Sequence, residues 1–157
     1  MKGGGIAMRV IVQRVSEAAV RVDGRITGQI GPGLLVLAGF EAADEAADLE
    51  WMTQKLLRLR IFADAAAVMN RSVSDIDGQI LAVSQFTLYA STRKGNRPSW
   101  QRAAPAPVSQ PLFDRFVALL ADGLGKPVPT GIFGADMKVS LVNDGPVTLV
   151  IDSRNPE

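Results

Sequence analysis

Ser84-Gln85-Phe86-Thr87 places two hydroxyls and a carboxamide within four residues, inside the apolar segment QILAVSQFTLYA. A serine or threonine hydroxyl attacks a carbonyl only when a neighbouring base takes its proton. The usual base is missing, because the 157-residue chain has no histidine, and it has no cysteine to supply a thiolate instead. Serine–histidine–aspartate, cysteine–histidine and HExxH chemistries are therefore excluded. The nearest acids in sequence, Asp77 and Asp114, lie outside the segment, and no lysine follows Ser84 at SxxK spacing. What remains is direct attack by water. Backbone N–H groups near Phe86 and Thr87 would receive the developing oxyanion, each worth about a hundredfold or more in rate, while the Thr87 hydroxyl orients the substrate. So sparse a set suits an already activated bond, such as an ester. On an extended strand Gln85, Thr87 and Tyr89 would share one face, and Ser84, Phe86 and Leu88 the other. An ordinary half-solvated strand carries the same pattern.

Two further stretches hold candidate groups. In NDGPVTL, residues 143–149, Asp144-Gly145 between two apolar runs reads as a two-residue hairpin turn. Pro146 then stands where the second strand needs an N–H donor. Either this is a hairpin with an edge proline, or Gly145-Pro146 is a rigid peptide that turns two carbonyls toward an ammonium group and forms a bare wall sensitive to shape. An X-Pro bond adopts cis at modest cost. From Gly78 to Phe113 there is no Asp or Glu, and this stretch contains Arg93, Lys94, Arg97, Trp100 and Arg102. Basic side chains neutralise phosphates and an exposed tryptophan stacks on a base. The missing acids favour an anionic partner over a solvated loop with Trp100 folded into the core. Asp136 and Lys138 stand between a site role and plain solvation. GQIGPG lacks the GxGxxG spacing, and no GxxxxGK[ST] pattern occurs.

The elements that must position these groups are mainly strands. Residues 1–7, MKGGGIA, read as a flexible lead, and residues 8–157 as a single domain. Strands are predicted in MRVIVQRV, AAVRV, RITGQI and LLVLAGF, with Asp23-Gly24 and Gly31-Pro32-Gly33 as turns, giving an antiparallel meander. Leu49, Met52, Leu56 and Leu59 recur at helical spacing over 44–60, with Asp44 as N-cap. A short RIF strand follows at 60–62. QILAVSQFTLYA reads as one strand and 91–108 as a long loop. A second helix is predicted from a Ser109 cap, with Pro111 in its first turn, to Gly123 or Gly125. DMKVSLVN and VTLVID close the chain as two strands. The fold class is α+β, a mostly antiparallel, barrel-like sheet with two main helices. No apolar run approaches the ~18 residues of a membrane span, and the first residues lack a signal-peptide pattern, so the cytoplasm is the expected location. Net charge is only +1, so nucleic-acid affinity would have to come from a local patch.

MRVIVQRVSEAAVRVDG, GPGLLVLAGF, LRIF, SQFTLYASTRKGNRPSW and FGADMKVSLVNDGPVTL, in this order and spacing, resemble the D-aminoacyl-tRNA deacylases of bacteria and eukaryotes from Met8 to about Ser153. The resemblance implies that family's fold over 8–157 and hydrolysis of the ester joining a D-amino acid, or mischarged glycine, to tRNA. It implies no cofactor and no metal. It implies a homodimer with the active site at the interface, tRNA as partner and no membrane. By the same carry-over Ser84, Gln85, Phe86 and Thr87 form the catalytic segment. Gly145-Pro146 is a cis peptide that reaches into the partner's pocket and rejects L-residues by steric exclusion, and Arg14 packs against it. Arg93, Lys94, Arg97 and Arg102 are candidate tRNA contacts. One departure is Ile132, where the family often has a basic residue. Two readings from other classes are a non-catalytic nucleic-acid-binding module and an interaction protein that dimerises through strand edges.

Overall fold

The computed structural model describes residues 7–41 and 46–156. The flexible lead therefore falls, except for Ala7, outside the described residues, as does the Asp44 cap. Ala7 itself is buried, and its carbonyl accepts a hydrogen bond from the Glu41 N–H at 2.9 Å.

Strand β1 (Met8–Val22) runs through both segments predicted as separate strands. It pairs antiparallel with β3 (Gly33–Phe40) through its first half and with β2 (Arg25–Ile30) through its second. Along its other edge lies β7 (Lys138–Asp152). Strand β6 (Gln79–Ser84) joins β3 in parallel, so the order is β2-β1-β3-β6 with β7 on β1. This mixed sheet curls into a half-barrel, and two helices complete an α+β fold. A small ribbon of β4 (Phe62–Ala63) and β5 (Met69–Arg71) stands apart. The expected RIF strand is displaced by a residue or two to become β4.

Helix α1 (Ala46–Arg58) buries Leu49, Met52 and Leu56 against the sheet, as their spacing predicts. Helix α2 (Ala106–Leu124) packs beside it with Phe113, Phe116 and Leu120 inward. It begins earlier than predicted. Pro105 is the N-cap and Pro107 lies in the first turn, where its missing N–H costs nothing. Ser109 is therefore inside the helix, its hydroxyl donating to the Pro105 carbonyl at 3.2 Å. Gly125, at φ 79°, ends the helix in the left-handed conformation that glycine adopts most readily.

The predicted pair of C-terminal strands is one strand. Both halves of β7 pair with β1, and no chain reversal occurs at Asp144-Gly145. Between the pairs Val15↔Asn143 and Gln13↔Thr148, β7 holds more residues than β1 can match. Asp144–Val147 are extruded as a bulge, which is where a proline without an N–H can sit beside a ladder.

At the start of β6, Asp77 accepts from Lys126 just beyond α2 at 2.7 Å, and that hydrogen bond holds its carboxyl below the ordinary value of 3.8. A depressed carboxylate contributes stability above the unfolded pKa and loses it as pH falls through the folded one. Wild type should therefore unfold at a higher temperature than Lys126→Met at pH 6, with the gap narrowing as pH falls below 3.8. Thermal scans across pH check this.

Candidate active site

Strand β6 stops at Ser84. The Gln85 N–H makes a last bond to the Ala38 carbonyl at 2.8 Å, and the chain then turns into one turn of 3₁₀ helix, Phe86–Tyr89. The extended strand expected through Tyr89 is therefore corrected, and with it the assignment of Gln85, Thr87 and Tyr89 to one face. Tertiary contacts outweigh the β-type residues here. Tyr89 is fully buried, with the Arg9 guanidinium 4.5 Å and that of Arg102 5.4 Å from its ring centre. Arg9 also donates to the Leu88 carbonyl at 2.8 Å, and its Nε and Nη2 each lie 2.9 Å from Asp152 Oδ2. That pair is mostly covered, at 27% and 16% side-chain exposure, so water screens it little. Glycine at 39 lets the turn approach, since a Cβ there would lie 2.7 Å from the Gln85 carbonyl oxygen.

The turn leaves donors free. Phe86 and Thr87 supply its first N–H groups, and among the described residues neither has an acceptor. The Gln85 carboxamide donates to Thr87 Oγ1. The Thr87 oxygen is thus engaged as an acceptor while its proton is free to point outward, and among the described residues no base hydrogen-bonds to it.

Beside the turn lies a cavity of ≈ 260 Å³ between Val83–Phe86 and the 133–139 segment. Phe133 and Met137 line it, and neither was singled out from sequence, where FGADMK drew notice only for its charges. Asp136 lies at the rim and pairs with Lys138 at 3.1 Å. Both side chains are more than three-quarters exposed, and such a pair contributes about 0–1 kcal/mol. Ile132 is exposed.

Gly145-Pro146 is a cis peptide, exposed on the β7 bulge. Arg14 holds it from beneath. Its Nε donates to the Asp144 carbonyl at 2.6 Å, and its Nη1 to the Ile61 carbonyl at 2.5 Å. The Asn143 carboxamide donates to the carbonyls of Arg14 at 3.0 Å and Val147 at 3.1 Å. The fold does not bring this unit to the Ser84–Thr87 turn. Ser84 is level with Ala38, Val10 and Ile151, whereas the bulge is level with Arg14. Three strand spacings and four residues separate them, about 20 Å along the sheet.

The basic stretch is a loop closed by mutual hydrogen bonds between Ser91 and Ser99, at 2.6 and 2.9 Å. Arg93, Lys94 and Arg97 lie on it, exposed, and line a depression of ≈ 740 Å³. Arg102 differs from them. It pairs with Glu41 at 2.9 Å, and that hydrogen bond raises its pKa. Trp100 is not folded into the core. It is 44% exposed and meets the half-exposed Phe86 ring edge-on at 5.4 Å.

Residues 11–152 match the model of the family described as D-Tyr-tRNA(Tyr) deacylase. The chain belongs to this family. It is 69% identical to the D-aminoacyl-tRNA deacylase of Dechloromonas aromatica over 150 residues, 96% of this chain and 100% of the relative. It is 64% identical to that of Chromobacterium violaceum over the same shares. A solved structure described as c-Myc DNA Unwinding Element Binding Protein superposes with a TM-score of 0.86 at 38% identity, covering 91% of this chain and 97% of that one. A probable eukaryotic D-amino acid tRNA deacylase shares the fold, with a TM-score of 0.80 at 20% identity, covering 93% and 99%.

Arg9 was not singled out from sequence, yet it fixes the family's SQFT turn to β1 and β7. Arg9→Met should lower kcat roughly ten- to a hundredfold with the fold intact, since small misplacements of catalytic groups are costly. Arg9→Lys should recover part of the loss. Steady-state kinetics beside circular dichroism checks both.

Proposed function

We propose that the chain hydrolyses the ester joining a D-amino acid to the terminal adenosine of tRNA, releasing the free amino acid and tRNA. Glycine mischarged onto tRNA is a second substrate, and the enzyme works in the cytoplasm as a homodimer with its sites at the interface. The observation that carries the mechanism is the Phe86–Tyr89 turn, with two N–H groups free and no base beside its hydroxyl.

The ester carbonyl lies against the Phe86 and Thr87 N–H groups, and the Thr87 hydroxyl donates to the substrate. Water attacks the carbonyl carbon, and the developing oxyanion is received by donors already in place. The leaving oxygen is the ribose 3′-oxygen; as the ester C–O bond breaks, the neighbouring 2′-hydroxyl of the RNA relays the attacking water's proton to it, giving the free 3′-hydroxyl and the amino acid. An aminoacyl ester is activated enough for this set to suffice. In the partner's pocket the Gly145 and Pro146 carbonyls receive the substrate's ammonium group, and the bare backbone leaves no room for an L side chain. Two observations support the reading of a shared site: the bulge is far from its own chain's turn, and Arg14 and Asn143 brace it outward. Arg93, Lys94 and Arg97 hold the tRNA backbone, while Arg102 acts mainly on Tyr89 and Glu41.

The alternative is a nucleic-acid-binding module without chemistry. The basic loop with its exposed Trp100 favours it, as does the likeness to a structure described as a DNA unwinding element binding protein. Hydrolysis of D-Tyr-tRNA but not L-Tyr-tRNA separates the two; equal hydrolysis of both, or of neither, contradicts the deacylase reading. Thr87→Ala should keep measurable activity, reduced by about ten- to a hundredfold for one lost donor, whereas complete loss would mark Thr87 as a nucleophile.

A further inference from the structure

The end of α1 and the residue pair after it carry Lys55, Arg58 and Arg60, all exposed. No acid occurs in residues 51–63, and neither Lys55 nor Arg58 has one three or four residues away. A helix face that merely meets solvent commonly pairs its charges at those spacings. Among the described residues the ion pairs use Arg9, Arg14, Arg102, Lys126 and Lys138, and none uses these three side chains. Two of the three make local contacts. Lys55 Nζ lies 5.6 Å over the Trp51 ring, and Arg60 donates to the Asn70 backbone at 3.1 Å and side chain at 2.6 Å. Two adjoining depressions, of ≈ 600 and ≈ 420 Å³, share Gln54, Arg58 and Arg60; Glu50 lines the first and Asp75 the second, and together they form one trough with more basic than acidic side chains and Trp51 as an aromatic wall.

The trough lies close in sequence and space to the Gly145-Pro146 bulge. The Ile61 carbonyl, next to Arg60, accepts from the same Arg14 that holds Asp144. Whatever the bulge approaches, the trough approaches with it. We propose that Lys55 and Arg58 contact the phosphates of the tRNA whose terminal adenosine occupies the partner's pocket, so that each tRNA is held by its site's own basic loop and, in trans, by this trough. The inference rests on the deacylase reading with a shared site. Arg60 faces Asp75 electrostatically, which leaves Lys55 and Arg58, beside the Trp51 ring, as the cations complementary to a nucleic-acid backbone.

The test is Lys55→Gln/Arg58→Gln, assayed on D-Tyr-tRNA and on 3′-O-D-tyrosyl-adenosine, which is too small to reach α1. The expected result is a KM for D-Tyr-tRNA raised roughly three- to tenfold, with kcat/KM for the small ester as in wild type. Binding of uncharged tRNA should lose about one to two units of its log–log salt slope. An unchanged KM and slope, or an equal loss on both substrates, overturns the proposal. If wild type hydrolyses neither substrate, the deacylase reading fails instead; the salt slope for uncharged tRNA still decides whether the trough binds RNA.

Discussion

The long strand β1 is the constraint on which every other feature depends. It carries partners along both edges, with β2 and β3 dividing one edge and β7 following the other. Its pairing with β7 is antiparallel nearly end to end, with register shifts on either side of Val15; at the one opposite Arg14 the proline-bearing bulge leaves the ladder. The same pairing sets Arg9 against Asp152, and Arg9 reaches on to the Leu88 carbonyl in the Phe86–Tyr89 turn. One ladder thus fixes a rigid wall at one level and braces the turn at another.

The chemistry follows from what is missing. Without histidine or cysteine, no side chain has an ordinary pKa suited to relaying protons at neutral pH. The Phe86–Tyr89 turn compensates with position, presenting free backbone donors and a hydroxyl whose oxygen is already engaged. Such a site has little intrinsic power against a stable bond and acts where the substrate is activated and well placed. Placement then becomes the larger task, which in the proposed mechanism falls to the basic side chains at two separate surfaces.

Strand β3 and helix α1 were legible in the sequence because burial wrote them there. GLLVLAGF is apolar on both faces because both are covered, and Leu49, Met52 and Leu56 repeat with the helix. The end of β6 was not legible, because Phe86–Tyr89 are strand-type residues bent by Arg9, Tyr89 burial and the close approach at Gly39. Asp144-Gly145 suggested a hairpin turn, but the chain bulges there without reversing, because a bulge and a hairpin use the same local residue types. Ser109 looked like a cap because its hydroxyl bonds backbone in either role. Of the candidate site, the SQFT and Gly-Pro segments were singled out from sequence. Phe133, Met137 and Arg9 were not, because a packing side chain carries no chemical signature.

The wall and the turn lie about 20 Å apart along one sheet, so the central claim is that they meet only between two copies. Co-expression of Gly145→Ala with Gln85→Ala/Thr87→Ala, under different affinity tags, tests it. A Cβ at 145 overlaps the Val147 backbone nitrogen, so that variant has a displaced wall and an intact turn. The other has an intact wall and a crippled turn. The purified mixed dimer contains one site with both parts intact, and it should hydrolyse D-Tyr-tRNA at about half the wild-type rate per dimer while each parent dimer is severely impaired. A mixed dimer no more active than its parents would contradict the shared site.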